Sequence, residues 1–379
     1  MIKLYQFIHS SIFVITIVSV GIVSLANKPL DMNAIKETTV LNGETARALE
    51  TNYDEKLSIK QFAVNLWAAV EYRLFNEGKQ GLVIGKEGWL YTDEEFKSSE
   101  KSQWALQNNL SFIKWINKEF SKRHVNLIIV PVPAKARVYA DKLNKDKPDN
   151  LHINIYQVLL AELRAASVHV ADSYQAMQRD KKSHAQFLKT DTHWTPDGAK
   201  AVANHAAQYI TSKTKMELVT NEYVTERKQT KELKGDLFNY LPLSPWFEDL
   251  LPDSDQITLY QTYQASDEAV DDLFAETSDT VALVGTSYSA NPNWNFEGAL
   301  KQALSTDIIN YAEEGQGPIK PMMRFLQTYE TEMPDLKLVI WEIPERYLSV
   351  AYQDVYAKRE AMEINDTLIA KEFKPTLNL

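Results

Sequence analysis

The chain has 379 residues, 44% of them apolar and 24% charged, with 41 Lys and Arg against 51 Asp and Glu for a net charge of −10. This is the make-up of a folded globular protein and excludes collagen-like, low-complexity and largely disordered chains. The acidic balance excludes non-specific nucleic-acid binding, which needs a basic footprint. There is no cysteine, so disulfides, thiolate metal sites and cysteine nucleophiles are excluded together.

In chain order, Lys3 precedes a stretch from Leu4 to Ala26 without formal charge, and Asn27-Lys28 closes it. That length suits a membrane crossing, and the basic residue before it fits positive-inside insertion. Residues 1–30 are therefore expected to be an uncleaved membrane-anchor helix, with the remainder of the chain exported. Cleavage as a signal peptide after Ser24-Leu25-Ala26 is the alternative, and would leave a soluble exported protein. Residues 31–56 are polar and acidic and read as a stalk, and 57–379 as the folded domain.

Residues 58–76 predict an amphipathic helix with Phe62, Leu66, Ala69, Val70 and Leu74 on one stripe. Leu82-Val83-Ile84 and Trp89-Leu90-Tyr91 flank Gly85-Lys86-Glu87-Gly88 and predict a hairpin. A helix over 103–122 follows. The apolar run 125–130, ending at Pro131, has the pattern of a strand buried on both faces. A helix over about 153–166 and a short strand at Val168-His169-Val170 complete the first half. The same alternation returns with strands at 281–284, 307–311 and 337–341 and helices at 295–304 and 319–329. Repeated strand–helix units predict an α/β fold with a parallel sheet flanked by helices, its ligands at the carboxyl ends of the strands. The charged stretch 213–280 breaks the rhythm and reads as an insertion.

Three segments carry candidate chemistry. Gly285-Thr286-Ser287-Tyr288-Ser289 follows a buried strand, where a serine hydroxyl can stand above the sheet. Such residues also end strands merely as turn formers. In Thr190-Asp191-Thr192-His193-Trp194-Thr195-Pro196, Thr195 and Pro196 open a helix. There Asp191 and Asp197 can serve the cap and the helix dipole, or Asp191 can hold the His193 imidazole. A metal pair is a third option. Glu314-Gly315-Gln316-Gly317-Pro318 offers backbone N–H groups to an oxyanion, or is a plain turn.

These segments, with Val83 to Tyr91, Pro131-Val132-Pro133-Ala134-Lys135 and Trp341-Glu342-Ile343-Pro344-Glu345-Arg346-Tyr347-Leu348, occur in an order that resembles the SGNH-hydrolase-like alginate O-acetyltransferases, the AlgJ and AlgX group. The resemblance covers about 58–350. It implies an SGNH-type domain whose Asp and His precede the serine, a circularly permuted motif order. It implies Ser287 as nucleophile, His193 as general base and acid, and Asp191 as its orienting partner. Thr286 stands where ordinary SGNH esterases carry Asp, a departure shared with the alginate group. Only some thirty residues follow the Trp341–Arg346 motif, so the carbohydrate-binding module of the AlgX branch is not expected and the AlgJ branch is the nearer.

The function expected on this basis is acetyl transfer to exopolysaccharide hydroxyls, with alginate the expected polymer, through an acetyl-serine. No metal or diffusible cofactor is expected. A membrane-bound O-acyltransferase is the implied acetyl source, and the inner membrane the implied site of attachment. An acetylesterase, or a non-catalytic polysaccharide-binding scaffold of a secretion complex, is the alternative. A polyanionic polymer is repelled by a net acidic protein at long range. Lys135, Arg137 and Arg346 at strand ends are therefore expected to form a local cationic patch, with Gly317 as oxyanion donor and Arg346 gripping a uronate carboxylate.

Overall fold

The computed structural model describes residues 2–26, 42–56, 58–96, 99–144, 154–214, 216–265 and 280–372. The chain forms two units: Met1–Lys79 with Asn239–Leu251, and Gln80–Phe238 with Pro252–Leu379. Parts of the expected stalk (31–41) and of the expected insertion (266–279) lie outside the described residues.

In the first unit, helix α1 is Ile2–Ala26, α2 is Glu44–Lys56 and α3 is Ser58–Val70, followed by a wider turn over Glu71–Phe75. The anchor expectation finds no support in the described helices. Among the described residues no helix is long and apolar enough to cross a membrane. In α1 the charge-free stretch 4–26 is diluted by Gln6, His9, Ser10, Ser11, Thr16, Ser19, Gly21 and Ser24. The stripe expected over 58–76 is corrected in part: Phe62, Leu66 and Leu74 are exposed, whereas Ala69 of the same stripe is buried, together with Asn65 and Ala68. The buried Asn65 side chain donates to the Pro242 carbonyl, which a hydrophobic periodicity cannot announce.

The second unit opens with β1 (Leu82–Ile84) paired antiparallel to β2 (Leu90–Thr92), the expected hairpin. Then come α4 (Glu100–Lys122), β3 (Asn126–Val132), α5 (Lys135–Val138), α6 (Ile155–Ala165), β4 (His169–Val170) and α7 (Ser173–Asp180). Helix α8 (Pro196–Lys213) starts where Thr195 accepts from the Gly198 N–H at 2.9 Å. Strands β5 (Tyr223–Leu233) and β6 (Asp255–Gln264) form a separate antiparallel ribbon within the stretch read as an insertion. The chain continues through β7 (Val281–Val284), α9 (Ser287–Ala290), α10 (Phe296–Leu304), β8 (Ile309–Asn310), α11 (Ile319–Glu332), β9 (Leu338–Pro344) and α12 (Gln353–Glu372).

Five strands make one parallel sheet in the order β4-β3-β9-β7-β8. Successive side chains along a strand point to opposite faces. Ile128, Val130, Leu283 and Ile340 accordingly pack with Val202, Ala206, Ile210 and Leu300 of α8 and α10. Leu127, Ile129, Val284, Val339 and Trp341 pack on the other face with Ile113, Ile116, Leu159 and Met322 of α4, α6 and α11. Burial on both faces explains the unbroken apolar runs. Each fully buried Val, Leu or Ile contributes about 1.5–3 kcal/mol. The α/β sheet flanked by helices is as expected, and β3, β7 and β9 end side by side, so their following loops share one edge.

Candidate active site

Strand β7 runs into Gly285 and Thr286, and Ser287 is the first residue of α9. The Thr286 hydroxyl accepts from the Tyr288 N–H at 3.3 Å, which fixes the turn. Ser287 is only partly buried, so its hydroxyl is reachable.

From the loop before α8, His193 places Nε2 2.8 Å from Ser287 Oγ. Its Nδ1 lies 2.7 Å from Asp191 Oδ1, which also accepts the His193 backbone N–H at 2.9 Å. With Nδ1 protonated toward Asp191, Nε2 is left to accept the Ser287 hydroxyl proton. Burial pushes the Asp191 carboxyl up, but the hydrogen bonds and charge of His193 and the Asp236 N–H outweigh it and hold it below the usual carboxylate range. A carboxylate that stays ionised there stabilises an imidazolium. The imidazole is stacked on Trp294, centroids 5.3 Å apart at 22°, and touches the Tyr288 ring at 4.8 Å.

The supporting layer is drawn from the stretch that reads as an insertion. The Asp236 N–H donates to Asp191 Oδ2 at 3.0 Å, while its carboxylate accepts from Thr192 N at 2.8 Å and Thr192 Oγ1 at 2.6 Å. Asp255 takes the Lys189 and Thr190 N–H groups, both at 2.8 Å. Sequence reading missed both acids, and also Trp294. Their only signal is position in a charged or loop segment, and the contacts that give them meaning cross from 44 to 101 positions along the chain.

Asp191, His193 and Asp236 bring ligand atoms within 4.8 Å of one another, close enough to hold a metal ion. All four carboxylate oxygens, however, already accept N–H or O–H groups. The donor set is that of a hydrogen-bonded network.

The expected cationic patch is corrected in part. Lys135 is fully buried, and Nζ donates to the carbonyls of Leu90, Lys189 and Asp191 at 2.6, 2.9 and 2.9 Å. All three ammonium protons are committed to backbone, so Lys135 pins the His193 loop and does not meet a polymer. Burial pulls its pKa down to about 8, against the pull of the Glu95 carboxylate. Arg137 is paired with the buried Glu345 carboxylate. Arg346 is buried as well, its Nε 3.7 Å from the Glu94 carboxylate, and its guanidinium lies 5.6 Å from the Tyr288 ring and 4.9 Å from that of Tyr347. Gly317, expected as an oxyanion donor, has φ +64° and is buried where a Cβ would collide with the Tyr352 hydroxyl. Packing and backbone conformation thus account for that glycine. Ser289, the neighbouring hydroxyl, is buried and donates to Glu342 at 3.1 Å.

A hydroxyl, an imidazole and a carboxylate joined end to end at the carboxyl edge of a parallel sheet form an arrangement suited to acyl transfer. Comparison with known proteins leads the same way. Residues 82–345 match the family model described as an SGNH hydrolase-like domain, acetyltransferase AlgX. The chain is 45% identical over 314 residues to a probable alginate O-acetylase AlgJ of Pseudomonas syringae pv. tomato, covering 82% of this chain and 80% of that one. It is likewise 45% identical over 317 residues to the Azotobacter vinelandii protein of that name, covering 83% and 82%. The solved O-acetyltransferase domain of Pseudomonas putida AlgJ superposes with a TM-score of 0.67 at 38% identity, over 74% of this chain and 99% of that one. With the fold, the motif order and the identity all in agreement, this chain belongs to the SGNH-hydrolase-like acetyltransferase family of AlgJ and AlgX.

Proposed function

We propose that this chain is an O-acetyltransferase of alginate biosynthesis that works through an acetyl-serine. The observation that carries the reading is the continuous line from Asp191 Oδ1 through His193 to Ser287 Oγ. In the first transfer, Ser287 Oγ attacks the acetyl carbonyl of a donor while its proton passes to His193 Nε2. The tetrahedral intermediate collapses, and the leaving group departs with that proton. In the second, a sugar hydroxyl gives its proton to His193 and attacks the acetyl-serine. Collapse then returns the proton to Ser287 Oγ. Asp191 holds the imidazole tautomer and stabilises the imidazolium in both halves. Arg346, one aromatic ring away from His193, is the side chain assigned to a uronate carboxylate. A membrane-bound O-acyltransferase is the proposed acetyl source.

Ser287→Ala and His193→Ala should each cut acetyl transfer by roughly 10⁴-fold or more, and the triple variant with Asp191→Ala should be little worse than Ser287→Ala. Activity is measured as acetyl incorporated into de-acetylated alginate, with release to water scored separately. A Ser287→Ala protein with full activity would move the nucleophile elsewhere. Acetate release without polymer acetylation would make the enzyme an esterase.

The proposed location is the periplasm, with α1 as the segment that directs export and, if retained, attaches the enzyme to the inner membrane. Its charge-free stretch after Lys3 supports this. Cell fractionation with N-terminal sequencing checks it: cytoplasmic recovery overturns export, and a mature chain starting at Asn27 overturns attachment.

A further inference from the structure

Six of the seven residues of β9 are apolar and one is Glu342. Its neighbours Trp341 and Ile343 fill the core, and Glu342 itself is 0% exposed. An acid in that position costs several kcal/mol unless it is hydrogen-bonded. Here, among the described residues, its hydrogen bonds all go to the serine turn. Oε2 accepts from the Thr286 N–H at 2.8 Å, the Thr286 hydroxyl at 3.0 Å and the Ser289 hydroxyl at 3.1 Å. Oε1 takes a second, longer approach of the Thr286 hydroxyl at 3.2 Å. One carboxylate thus ties together the residue before Ser287 and the residue two after it.

The strands are built to allow this approach. Val284 of β7 pairs with Trp341 of β9, so the next residues, Gly285 and Glu342, lie side by side. A Cβ on residue 285 would sit 2.5 Å from Glu342 Oε2 and 3.0 Å from Ser289 Oγ. The glycine of the Gly-Thr-Ser motif therefore makes room for the carboxylate.

Resting on the acetyl-serine reading above, we propose that Glu342 is a positioning residue: its ionised carboxylate holds the Gly285–Ser289 turn so that Ser287 Oγ stays aligned with His193 Nε2. The Thr286 N–H can only donate, and with both hydroxyls donating as well, three donors converge on one oxygen. That pattern calls for a carboxylate. Burial drives the Glu342 pKa up to about 7, opposed by the bonds from Thr286 and Ser289 and by the charge of Arg346. The groups that face it are Thr286, Ser289 and the Tyr288 phenol from the β7–α9 side, Arg346 from the turn after β9, and uncharged Val130 as register partner on β3. The carboxylate is therefore lost by protonation close to neutrality, and the alignment of Ser287 is lost with it.

The test uses the full chain, 4-nitrophenyl acetate as acyl donor and a sulfonyl fluoride as a direct probe of Ser287. Glu342→Gln should lower kcat and the rate of sulfonylation together by roughly 10- to 100-fold, the scale of a small misplacement of a reacting group, with KM within about twofold. The acid limb of its log kcat profile should lose about one unit of slope relative to the parent, because one protonation no longer matters. Thr286→Val should change the same quantities less. Combined with Glu342→Gln, it should add little, as two ends of one contact do. A Glu342→Gln protein with parental kcat and an unchanged acid limb overturns the proposal, and so do strictly additive losses. Should Glu342→Gln fail to fold, Thr286→Val and Ser289→Ala decide instead, since each removes one donor and leaves the acid: parental kcat in both overturns it. Ser287→Ala is the control that separates the two readings. If that protein keeps its activity, the acetyl-serine reading fails; if it is inactive while Glu342→Gln is unimpaired, only the role of Glu342 fails.

Discussion

Lys135 and Arg346 occupy comparable places in the sequence, each just past a strand, yet their side chains meet opposite fates. Lys135 spends its three protons on the carbonyls of Leu90, Lys189 and Asp191, and its own backbone N–H goes to Glu95 at 3.1 Å. Lys135→Met leaves those carbonyls and the buried Glu95 carboxylate without their cation. Removing one partner of a buried pair typically costs about 3–5 kcal/mol. The expected result is a lowered unfolding midpoint in urea and equal losses of activity on polymer and on a small neutral ester. Arg346 lies across Tyr288, and its Nε, beside Glu94 at 3.7 Å, has no hydrogen-bond partner. Arg346→Ala should therefore weaken use of the uronate polymer about tenfold or more while changing turnover of the ester by less than about threefold. Equal losses on both substrates would reassign Arg346 to holding Tyr288 against His193.

Among the elements, what was legible in the sequence is what burial dictates locally. The runs that became β3, β7 and β9 are apolar without alternation because both faces of each strand are covered. The Thr195-Pro196 start of α8 and the hairpin around Gly85–Gly88 depend on residues next to one another, and both formed as read. In the site, the Asp191–His193 spacing and the serine at the end of β7 were visible for the same reason. What the sequence hid depends on contacts between distant segments. The stripe on α3 failed in part, because the residues at 239–251 pack against its Asn65 side, within that unit. Asp236 and Asp255 look like solvated charges until the ribbon of β5 and β6 brings them under the Thr190–His193 loop. Glu342 did carry a signal that went unused: a single acid in an otherwise apolar strand must have a buried partner.

For the molecule as a whole, Glu95 and Glu342 are two fully buried carboxyls, each driven by burial up to about 7. A folded-state pKa above the unfolded one gives stability that is full below the unfolded value near 4.5 and is lost as pH rises through the folded value. These two groups therefore weaken the fold between about pH 4.5 and pH 7. Glu342→Gln removes one of them, so its stability relative to the parent should rise between pH 5 and pH 8, by up to roughly 3 kcal/mol. Thermal unfolding of both proteins at the two pH values measures this; a constant gap would mean that the Glu342 carboxyl titrates alike in the folded and the unfolded chain, its pKa not raised by burial. The strand order has a consequence of another kind. The central strand of the sheet, β9, comes last in the chain and fits between β3 and β7, whose pairing partners β4 and β8 precede it. Until Leu338–Pro344 has been synthesised, the two halves of the sheet have nothing between them. His193 and Ser287 then sit on pieces that no strand joins, and the Ser287 turn lacks its carboxylate. Alignment of Ser287 with His193 is thereby postponed until the last strand of the sheet has been made.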